Sequence, residues 1–419
     1  MKPALMLTIA VMASLGLSSC GGGSGGASSG SASTPPPPPP PPSPPPQSTV
    51  GPAECVNGTA DGFACKGLNL AKRVTLEGLG GPAGNDIWGW TDPENNDEYA
   101  LMGLTNGTSF VRITNPENPV VVGRLPTFTR TATWRDVKVY KNHAFIVADG
   151  AGAHGMQVFD LTRLRGVSDG RVFTEDAHYS SITNTHNIGI NEESGYAYLV
   201  GTNTCDEGLH IVDIRNPTSP SFVQCHEAQP DSHDVQCVNY IGPDTDYKDS
   251  EICFGSNADS IGITDVTVKP VPTTISNSVY PNLGFVHQAW LDESQQYLLV
   301  NDETDETGQG VPTSTIVFDV RDLDNPVYLY THRGTKNTID HNLYVKGNLV
   351  YEANYQAGLQ ILEFTDLSTD TFNEVMFFDT YPEDDKAVYN GAWSVYPFFE
   401  SGSIVVSDID RGLFILRPQ

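Results

Sequence analysis

Residues 186–220 read HNIGINEESGYAYLVGTNTCDEGLHIVDIRNPTSP, and this stretch decides the fold. It contains short segments that either alternate polar and apolar residues or are rich in β-branched and aromatic residues. Polar turns separate these segments, and one more segment follows the stretch. The four segments lie at residues 186–190, 196–200, 208–214 and 221–225. Because proline cannot donate a hydrogen bond to a strand ladder, Asn216-Pro217 ends the third segment. The stretch therefore predicts one unit of four antiparallel strands.

The same unit recurs along the chain in steps of 47 to 54 residues. Each copy opens on a dipeptide at the start of its first strand. The seven dipeptides are Asn85-Asp86, Arg135-Asp136, His186-Asn187, His233-Asp234, His287-Gln288, His341-Asn342 and Trp393-Ser394. A repeat of roughly 40–55 residues with four short strands per unit is typical of a β-propeller. The sequence therefore predicts an all-β fold, a seven-bladed β-propeller.

The last unit contains only three strand-like segments, so its fourth strand has to come from elsewhere in the chain. Residues 72–77 precede the first unit and have the residue pattern of a fourth strand. Pairing the beginning of the chain with its end removes both free sheet edges and locks the ring. We therefore expect an N-terminal strand that closes the last blade.

The N-terminal residues predict an exported, lipid-anchored protein. Residues 1–19 have the short apolar run of a secretory signal peptide. The segment ends in LSSC (17–20), which resembles a bacterial lipobox, so Cys20 is the expected lipidation site. Residues 20–50 are a Gly/Ser/Pro-rich stalk, and residues 51–419 are the β-propeller domain. We expect localisation at the bacterial outer membrane, on the cell surface or the periplasmic face.

The chain is strongly acidic, with a formal net charge of −28 at pH 7. This charge argues against nucleic acid as a partner, and against an anionic membrane surface, so the membrane is contacted only through the lipid anchor. The expected partner is an extracellular protein, a glycan or an ion, and the protein is expected to be a monomer. A well-solvated surface is the favoured explanation of the charge, ahead of a cationic partner or a metal ion.

The chain contains seven cysteines, and the six beside Cys20 imply disulfides in an exported domain. The repeat frame narrows the pairing, because a hairpin of first and second strands lets Cys237 face Cys253. Two more cysteines fall at the same end of the preceding unit, and the last two are close together near the N-terminus. The expected disulfides are Cys55–Cys65, Cys205–Cys225 and Cys237–Cys253.

Antiparallel pairing brings the loop into each first strand and the loop between second and third strands to the same end of the propeller. Four consecutive units each place a histidine at this end: His186, His233, His287 and His341. Neutral imidazole suits zinc or manganese, so these residues are candidate metal ligands. The other candidate ligand-binding residues here are Asp86, Asp136, Asn187 and Asp234. A structural tie between successive blades is the competing interpretation of the histidines, and both remain open.

Residues 301–306 (NDETDE) form the densest acidic cluster of the sequence. Carboxylate and carbonyl oxygens are the ligands that calcium prefers, so Asp302, Glu303 and Asp305 are candidate ligands of a hard cation. The spacing is not that of an EF-hand loop. A solvated acidic loop is therefore favoured over a calcium site.

Several blocks of sequence occur in the order of a known family. They are NDIWGWTD (85–92), WRDVKVY (134–140), HGMQVFDLTRL (154–164), HNIGIN (186–191), GLHIVDIRNP (208–217), SHDVQC (232–237), HQAWL (287–291), DHNLYVKGN (340–348) and GAWSVYP (391–397). They resemble the choice-of-anchor B family of surface proteins with LVIVD-type repeats. The resemblance implies a propeller fold, export and attachment through the anchor of the host. It implies no settled activity and no catalytic residues.

Three classes of function follow from the sequence, and one of them is a structural role in the cell envelope, such as adhesion. The favoured one is a cell-surface binding scaffold that recognises its ligand through the loop-rich end, because no metalloprotease or phosphate-binding motif occurs in the chain. The alternative is a metal-dependent extracellular enzyme, similar to polysaccharide lyases or hydrolases, with a histidine-lined axial site.

Overall fold

The computed structural model describes residues 49–419. The expected signal peptide, Cys20 and all of the expected stalk except its last two residues lie outside the described residues. Thr49–Val50 forms a short strand paired with Leu68–Val74. The described chain forms seven sheets, each built on four antiparallel strands. The predicted seven-bladed β-propeller is confirmed.

The strands of the first four blades follow one another in chain order. Blade 1 consists of Gly84–Thr91, Glu98–Leu104, Gly107–Arg112 and Val120–Pro126. Blade 2 consists of Trp134–Tyr140, His143–Asp149, Met156–Asp160 and Ala177–Tyr179. Blade 3 consists of Asn187–Asn191, Tyr196–Val200, Leu209–Asp213 and Ser221–His226. Blade 4 consists of Asp234–Asn239, Glu251–Ser256, Ile261–Asp265 and Thr273–Ser278.

The remaining blades repeat this order, and the last takes its outer strand from the N-terminal segment. Blade 5 consists of Val286–Leu291, Tyr297–Asp302, Ser314–Asp319 and Val327–Arg333. Blade 6 consists of Asn342–Lys346, Leu349–Ala353, Leu359–Glu363 and Asn373–Phe378. Blade 7 consists of Ala392–Tyr396, Ile404–Asp408, Gly412–Pro418 and Leu68–Val74. The first strand of every blade contacts the first strand of the next, and that of blade 7 contacts that of blade 1.

The closure of the ring is confirmed, but the closing strand begins earlier than the sequence predicted. Leu68–Val74 pairs antiparallel with Gly412–Pro418, in a register that places Val74 opposite Leu413. The expected strand at 72–77 is wrong beyond Val74, because Thr75 caps a short helix, Leu76–Leu79. The Thr75 hydroxyl oxygen accepts a hydrogen bond from the Gly78 amide at 3.2 Å.

A few short elements complete the described chain. Phe63–Lys66 extends blade 6 and pairs with Thr59–Ala60, and Arg171–Val172 runs parallel to the outer strand of blade 1. The second helix is Asp305–Gln309, in a loop of blade 5. The 3₁₀ turns are Leu161–Leu164, Cys205–Glu207 and Thr245–Tyr247. None of the helices among residues 49–419 is both long and apolar enough to cross a membrane.

Three disulfides are present, with the pairings that the sequence predicted. They are Cys55–Cys65, Cys205–Cys225 and Cys237–Cys253. Cys237 and Cys253 lie directly opposite each other on the first two strands of blade 4, as the hairpin argument required. Disulfides of this kind persist in oxidising compartments.

Apolar side chains fill the spaces between neighbouring sheets and hold the first strands at fixed positions around the axis. Between blades 1 and 2, Phe110 stacks on Phe159 with ring centroids 4.8 Å apart, and Val122 and Val137 belong to the same buried cluster. Each such side chain stabilises the fold by about 1.5–3 kcal/mol through burial. The rim of the axis is therefore a rigid platform for polar residues.

Candidate metal centre at the propeller axis

The four candidate histidines lie side by side at one end of the axis. Each stands at or next to the start of the first strand of its blade, in blades 3 to 6. The ring centroids of His186 and His233 are 4.3 Å apart, those of His233 and His287 are 4.3 Å apart, and those of His287 and His341 are 4.2 Å apart. We call these four residues the histidine arc.

Three rings of the histidine arc tie successive blades together through Nδ1. The Nδ1 atoms of His233, His287 and His341 lie 3.0, 2.8 and 2.6 Å from the main-chain carbonyl oxygens of His287, His341 and Trp393. Since a carbonyl oxygen only accepts, each Nδ1 carries a proton and donates it. The Nε2 atom of a neutral ring then keeps its lone pair. A tie to the next blade therefore leaves the other nitrogen able to bind a metal.

Burial keeps the rings of His287 and His341 neutral. Burial, together with a smaller contribution from neighbouring histidines, lowers the pKa of each ring to about 3. Burial likewise lowers the pKa of His233 well below its usual value. Metals bind the neutral form of imidazole, so the protonation state suits a ligand.

His186, the first member of the histidine arc, has a carboxylate partner in place of a carbonyl. Its Nδ1 lies 3.1 Å from Oδ2 of Asp149, at the end of the second strand of blade 2. Burial opposes ionisation of Asp149, but hydrogen bonds from His186, Gly150 and Asn184 outweigh it and lower the pKa of that carboxyl. This ring is therefore held by an ionised side chain.

Glu303 brings a carboxylate to two members of the histidine arc. Its Oε1 lies 3.6 Å from Nε2 of His341 and 4.0 Å from Nε2 of His287, and the Tyr355 hydroxyl donates a hydrogen bond to it at 2.8 Å. The ligand atoms of the two histidines and Glu303 all lie within 4.8 Å of one another. Among residues 49–419, no group this tight includes His186 or His233. Two imidazole nitrogens and one carboxylate form the donor set of many catalytic zinc sites.

The axis itself has little room. A cavity of about 20 Å³ is lined by the histidine arc together with Asp86, Asp136, Asn187, Asp234 and other side chains of the first strands. A cavity of that size holds one water molecule or one ion. The next cavity along the axis has a volume of about 50 Å³ and is lined in part by Trp88, Gln236 and Trp290. A ligand larger than an ion therefore does not fit inside the cavity that the histidine arc lines.

Asp86 and Asp136 were candidate ligand-binding residues, and they flank a lysine that the sequence analysis missed. Lys138 Nζ lies 2.5 Å from Oδ1 of Asp136 and 3.6 Å from Oδ2 of Asp86, over the ring of Trp88. The amide of Ile188, in the next blade, donates to Oδ2 of Asp136 at 2.8 Å. We call Asp86, Asp136 and Lys138 the acidic arc. Lys138 is two residues from Asp136 on the same strand, so the alternation of side chains along a strand places both on one face. This spacing in the sequence could have predicted the ion pair.

Burial raises the pKa of Asp86 well above its usual value, against the attraction of Lys138. For Asp136 burial acts in the same direction, but Lys138 and hydrogen bonds prevail and lower the pKa. Lys138 is thus placed to neutralise one ionised carboxylate directly. The charges of the acidic arc therefore balance within the group, which acts as a brace between neighbouring blades.

Asn187 and Asp234 complete the set of candidates at the rim. Asn187 donates to the main-chain carbonyl of His233 at 2.9 Å, and Asp234 accepts from its neighbour Val235 at 2.6 Å. Burial raises the pKa of Asp234 to about 7, although Lys138 opposes the shift. These two side chains therefore bond to the main chain, while carbonyls orient three of the four imidazoles.

The interpretation of residues 301–306 as a solvated loop is wrong. Asp302 is fully buried, and Asp305 and Glu306 are each only 4 % exposed. Asp302 accepts hydrogen bonds from the Tyr280 hydroxyl at 2.8 Å and from the amide of Phe285 at 2.7 Å. The loop is folded inward because its carboxylates accept main-chain and hydroxyl hydrogen bonds, which the acidic composition alone did not reveal.

Comparison with known proteins supports the fold and leaves the activity open. A model of the LVIVD repeat matches residues 187–226, which span blade 3 from the start of its first strand to the end of its last. No curated protein matches the chain. The chain is therefore a β-propeller that carries an LVIVD repeat.

Three solved structures illustrate the likeness. A protein from Lactobacillus plantarum is 11% identical, with a TM-score of 0.52, and the match covers 73% of this chain and 85% of that one. A functionally unknown protein from Desulfotomaculum acetoxidans is 12% identical over 75% of this chain and 93% of that one, with a TM-score of 0.48. A periplasmic gluconolactonase from Pseudomonas aeruginosa is 9% identical over 69% and 86%, with a TM-score of 0.47. At such identities the likeness concerns the fold alone.

Proposed function

We propose that the protein is a lipid-anchored binding scaffold of the cell surface that holds a divalent transition-metal ion at its axial mouth. The proposed ligands are Nε2 of His287, Nε2 of His341 and the carboxylate of Glu303. The ion would offer an open coordination position to an oxygen or nitrogen atom of an extracellular protein or glycan.

One observation carries the proposal: the Nδ1 atoms of His287 and His341 donate to carbonyls, and the Nε2 atoms lie beside Glu303. Metal-binding histidines almost always donate their second ring N–H to a carbonyl or carboxylate, which fixes both tautomer and orientation. The pKa values of both rings, lowered to about 3 by burial, add to the support, because no proton competes with the metal at neutral pH.

The lipid anchor and the surface address rest on the lipobox-like segment that ends at Cys20. The three disulfides are consistent with export to an oxidising compartment. Metabolic labelling with a radioactive fatty acid tests the anchor, with Cys20→Ala as the variant that should lose the label. Equal labelling of both proteins would remove the anchor from the proposal.

The metal is tested by elemental analysis and by calorimetric titration of the mature protein with zinc and manganese. We expect one equivalent to bind, and Glu303→Gln to weaken binding strongly while the hydrogen bond with Tyr355 is kept. His143→Ala is the matched control, because this histidine begins the second strand of blade 2, directly after a hairpin turn, and its ring bonds to a carbonyl two residues away. Absence of stoichiometric metal in the wild type, or unchanged affinity in Glu303→Gln, would refute the site.

A metal-dependent enzyme that acts on an extracellular polysaccharide is the second candidate. It is favoured by the donor set, since three protein ligands leave a position for water or substrate, as in catalytic zinc sites. Incubation of the metal-loaded protein with acidic polysaccharides, followed by absorbance of unsaturated products and by reducing-end assays, tests this function. Turnover that disappears in Glu303→Gln would establish an enzyme, and metal-dependent binding without turnover would leave the scaffold.

A further inference from the structure

Three carboxyl groups meet in the interior beside the axial mouth. Asp305 and Glu306 come from the short helix in the blade 5 loop, and Asp340 comes from the segment that leads into blade 6. Each offers one oxygen, and the three oxygens lie within 4.8 Å of one another. Asp340 is fully buried, and the other two side chains are each 4 % exposed. Three buried carboxyls at this spacing repel one another unless something neutralises them.

Hydrogen bonds account for only part of the oxygen atoms. Asp340 accepts the amides of Asp302 at 3.0 Å and Ser314 at 2.7 Å, and Glu306 accepts the amide of Asp340 at 3.0 Å through Oε1. Oδ1 of Asp305 and Oε2 of Glu306 are buried and have no hydrogen-bond partner. Native proteins rarely leave buried polar atoms without a partner, and such an atom indicates a bound water or ion.

The charge of the cluster is also unbalanced. Among residues 49–419, the only cation paired with it is Arg333, whose Nη1 lies 2.8 Å from Oδ2 of Asp305. Ser314 donates its hydroxyl to the same oxygen at 2.8 Å. One guanidinium against three carboxylates leaves an excess of two negative charges when all three are ionised. A divalent cation would supply that charge and a partner for the two bare oxygens.

We propose that Asp305, Glu306 and Asp340 form a buried calcium site. The donor atoms are all oxygen, which suits a hard cation and not the transition metals that prefer imidazole. Calcium accepts irregular sets of carboxylate ligands, whereas magnesium requires a near-ideal octahedron and keeps several waters. The site is separate from the one formed by His287, His341 and Glu303, and it does not depend on that site being filled.

The calcium site would also fix the residues of the axial mouth. Glu303 is two residues before Asp305, and His341 directly follows Asp340. Binding of one ion between these two segments would therefore hold the blade 5 loop against the start of blade 6. The wild-type protein is then most stable with calcium, because the ion removes the repulsion among the carboxylates.

The proposal is tested by thermal unfolding of the mature protein after chelation, with and without 1 mM calcium chloride or magnesium chloride. We expect calcium to raise the Tm of the wild type by about 3–5 °C and magnesium to raise it less. Glu306→Gln should lose this response. Because the substitution removes one of the repelling charges, the chelated variant should be at least as stable as the chelated wild type, which separates loss of the site from failure to fold.

Two controls make the result specific. Asp322→Asn/Asp324→Asn neutralises exposed members of another acidic cluster, in blade 5, and should keep the full calcium response. Glu303→Gln should also keep it, so loss of the axial metal and loss of the calcium response are distinguishable. A wild-type Tm that is unchanged by calcium would overturn the proposal and would indicate that Glu306 and Asp340 share a proton. An equal response in Glu306→Gln would place the calcium elsewhere and would also overturn it.

Discussion

The acidic arc and the histidine arc both lie on the first strands of their blades or directly before them, but their polar atoms have different partners. In the acidic arc, Lys138 sits between Asp86 and Asp136, and the charges are balanced within the group. In the histidine arc, one nitrogen of each ring of His233, His287 and His341 ties the blade to the next, and the lone pair of the other remains. The acidic arc therefore only holds blades together, whereas the histidine arc holds blades together and keeps nitrogen lone pairs that can bind a metal.

The comparison shows that a structural tie and a ligand are not exclusive interpretations of one histidine. Imidazole has two nitrogens with separate partners, so the carbonyl tie at Nδ1 selects the tautomer that a metal at Nε2 requires. A carboxylate can also bond to several groups at once, but Lys138 already neutralises the acidic arc. The residue type alone does not tell a structural tie from a metal ligand. The hydrogen-bond or ionic partner of each polar atom does.

The largest effect is expected when the brace is broken at Lys138. Lys138→Met removes the buried cation between Asp86 and Asp136 and leaves one ionised carboxylate without a partner. Loss of one member of a buried ion pair typically costs about 3–5 kcal/mol, so we expect a decrease of that size in the free energy of unfolding. Denaturant unfolding followed by tryptophan fluorescence measures it.

The control for this prediction removes the charges together. In Lys138→Met/Asp86→Asn/Asp136→Asn no buried charge is left in the acidic arc, so most of the lost stability should return. A triple variant as unstable as Lys138→Met would show that the lysine stabilises the blades by packing on Trp88, and the brace interpretation would be wrong.

The sequence predicted the fold better than it predicted the site, for physical reasons. The repeated dipeptides and their regular spacing report strand periodicity directly, and the hairpin frame then placed Cys237 opposite Cys253. The closing strand was misplaced by four residues, because capping by Thr75 depends on which turn the chain enters. The inward fold of Asp305 and Glu306 was missed, since a run of acidic residues has the same composition whether it faces solvent or a buried set of donors.

Asp234 lines the same axial cavity as both arcs and gives a pH-dependent test of the charge balance. Burial raises its pKa in the folded state to about 7, whereas the unfolded value is about 3.9. The folded state therefore binds more protons between these values, and the stabilising contribution of the neutral carboxyl is lost as pH rises through that window. Because each pH unit changes the contribution by at most about 1.4 kcal/mol and the carboxyl is half ionised at pH 7, Asp234→Asn should gain about 2 kcal/mol relative to the wild type between pH 5 and pH 7.

The measurement is urea unfolding of both proteins at pH 5 and pH 7 at constant ionic strength. Asp169→Asn, at an exposed position in the loop before Arg171, is the control and should show the same difference from the wild type at both values. If Asp234→Asn also differs from the wild type equally at pH 5 and pH 7, Asp234 is ionised throughout, and Lys138 balances two carboxylates, those of Asp136 and Asp234.

The smallest effect concerns the tie alone, at His233, which has no place in the proposed ligand set. In blade 1 the equivalent residue is Asn85, whose Nδ2 donates to the carbonyl of Thr133 at 2.9 Å. His233→Asn should therefore preserve a tie and change stability by less than about 0.5 kcal/mol, whereas His233→Leu should lose the hydrogen bond to the His287 carbonyl and about 1 kcal/mol. Both variants should retain the metal in elemental analysis. Loss of metal in His233→Leu would extend the ligand set along the histidine arc, and equal stability of the two variants would show that the tie contributes nothing.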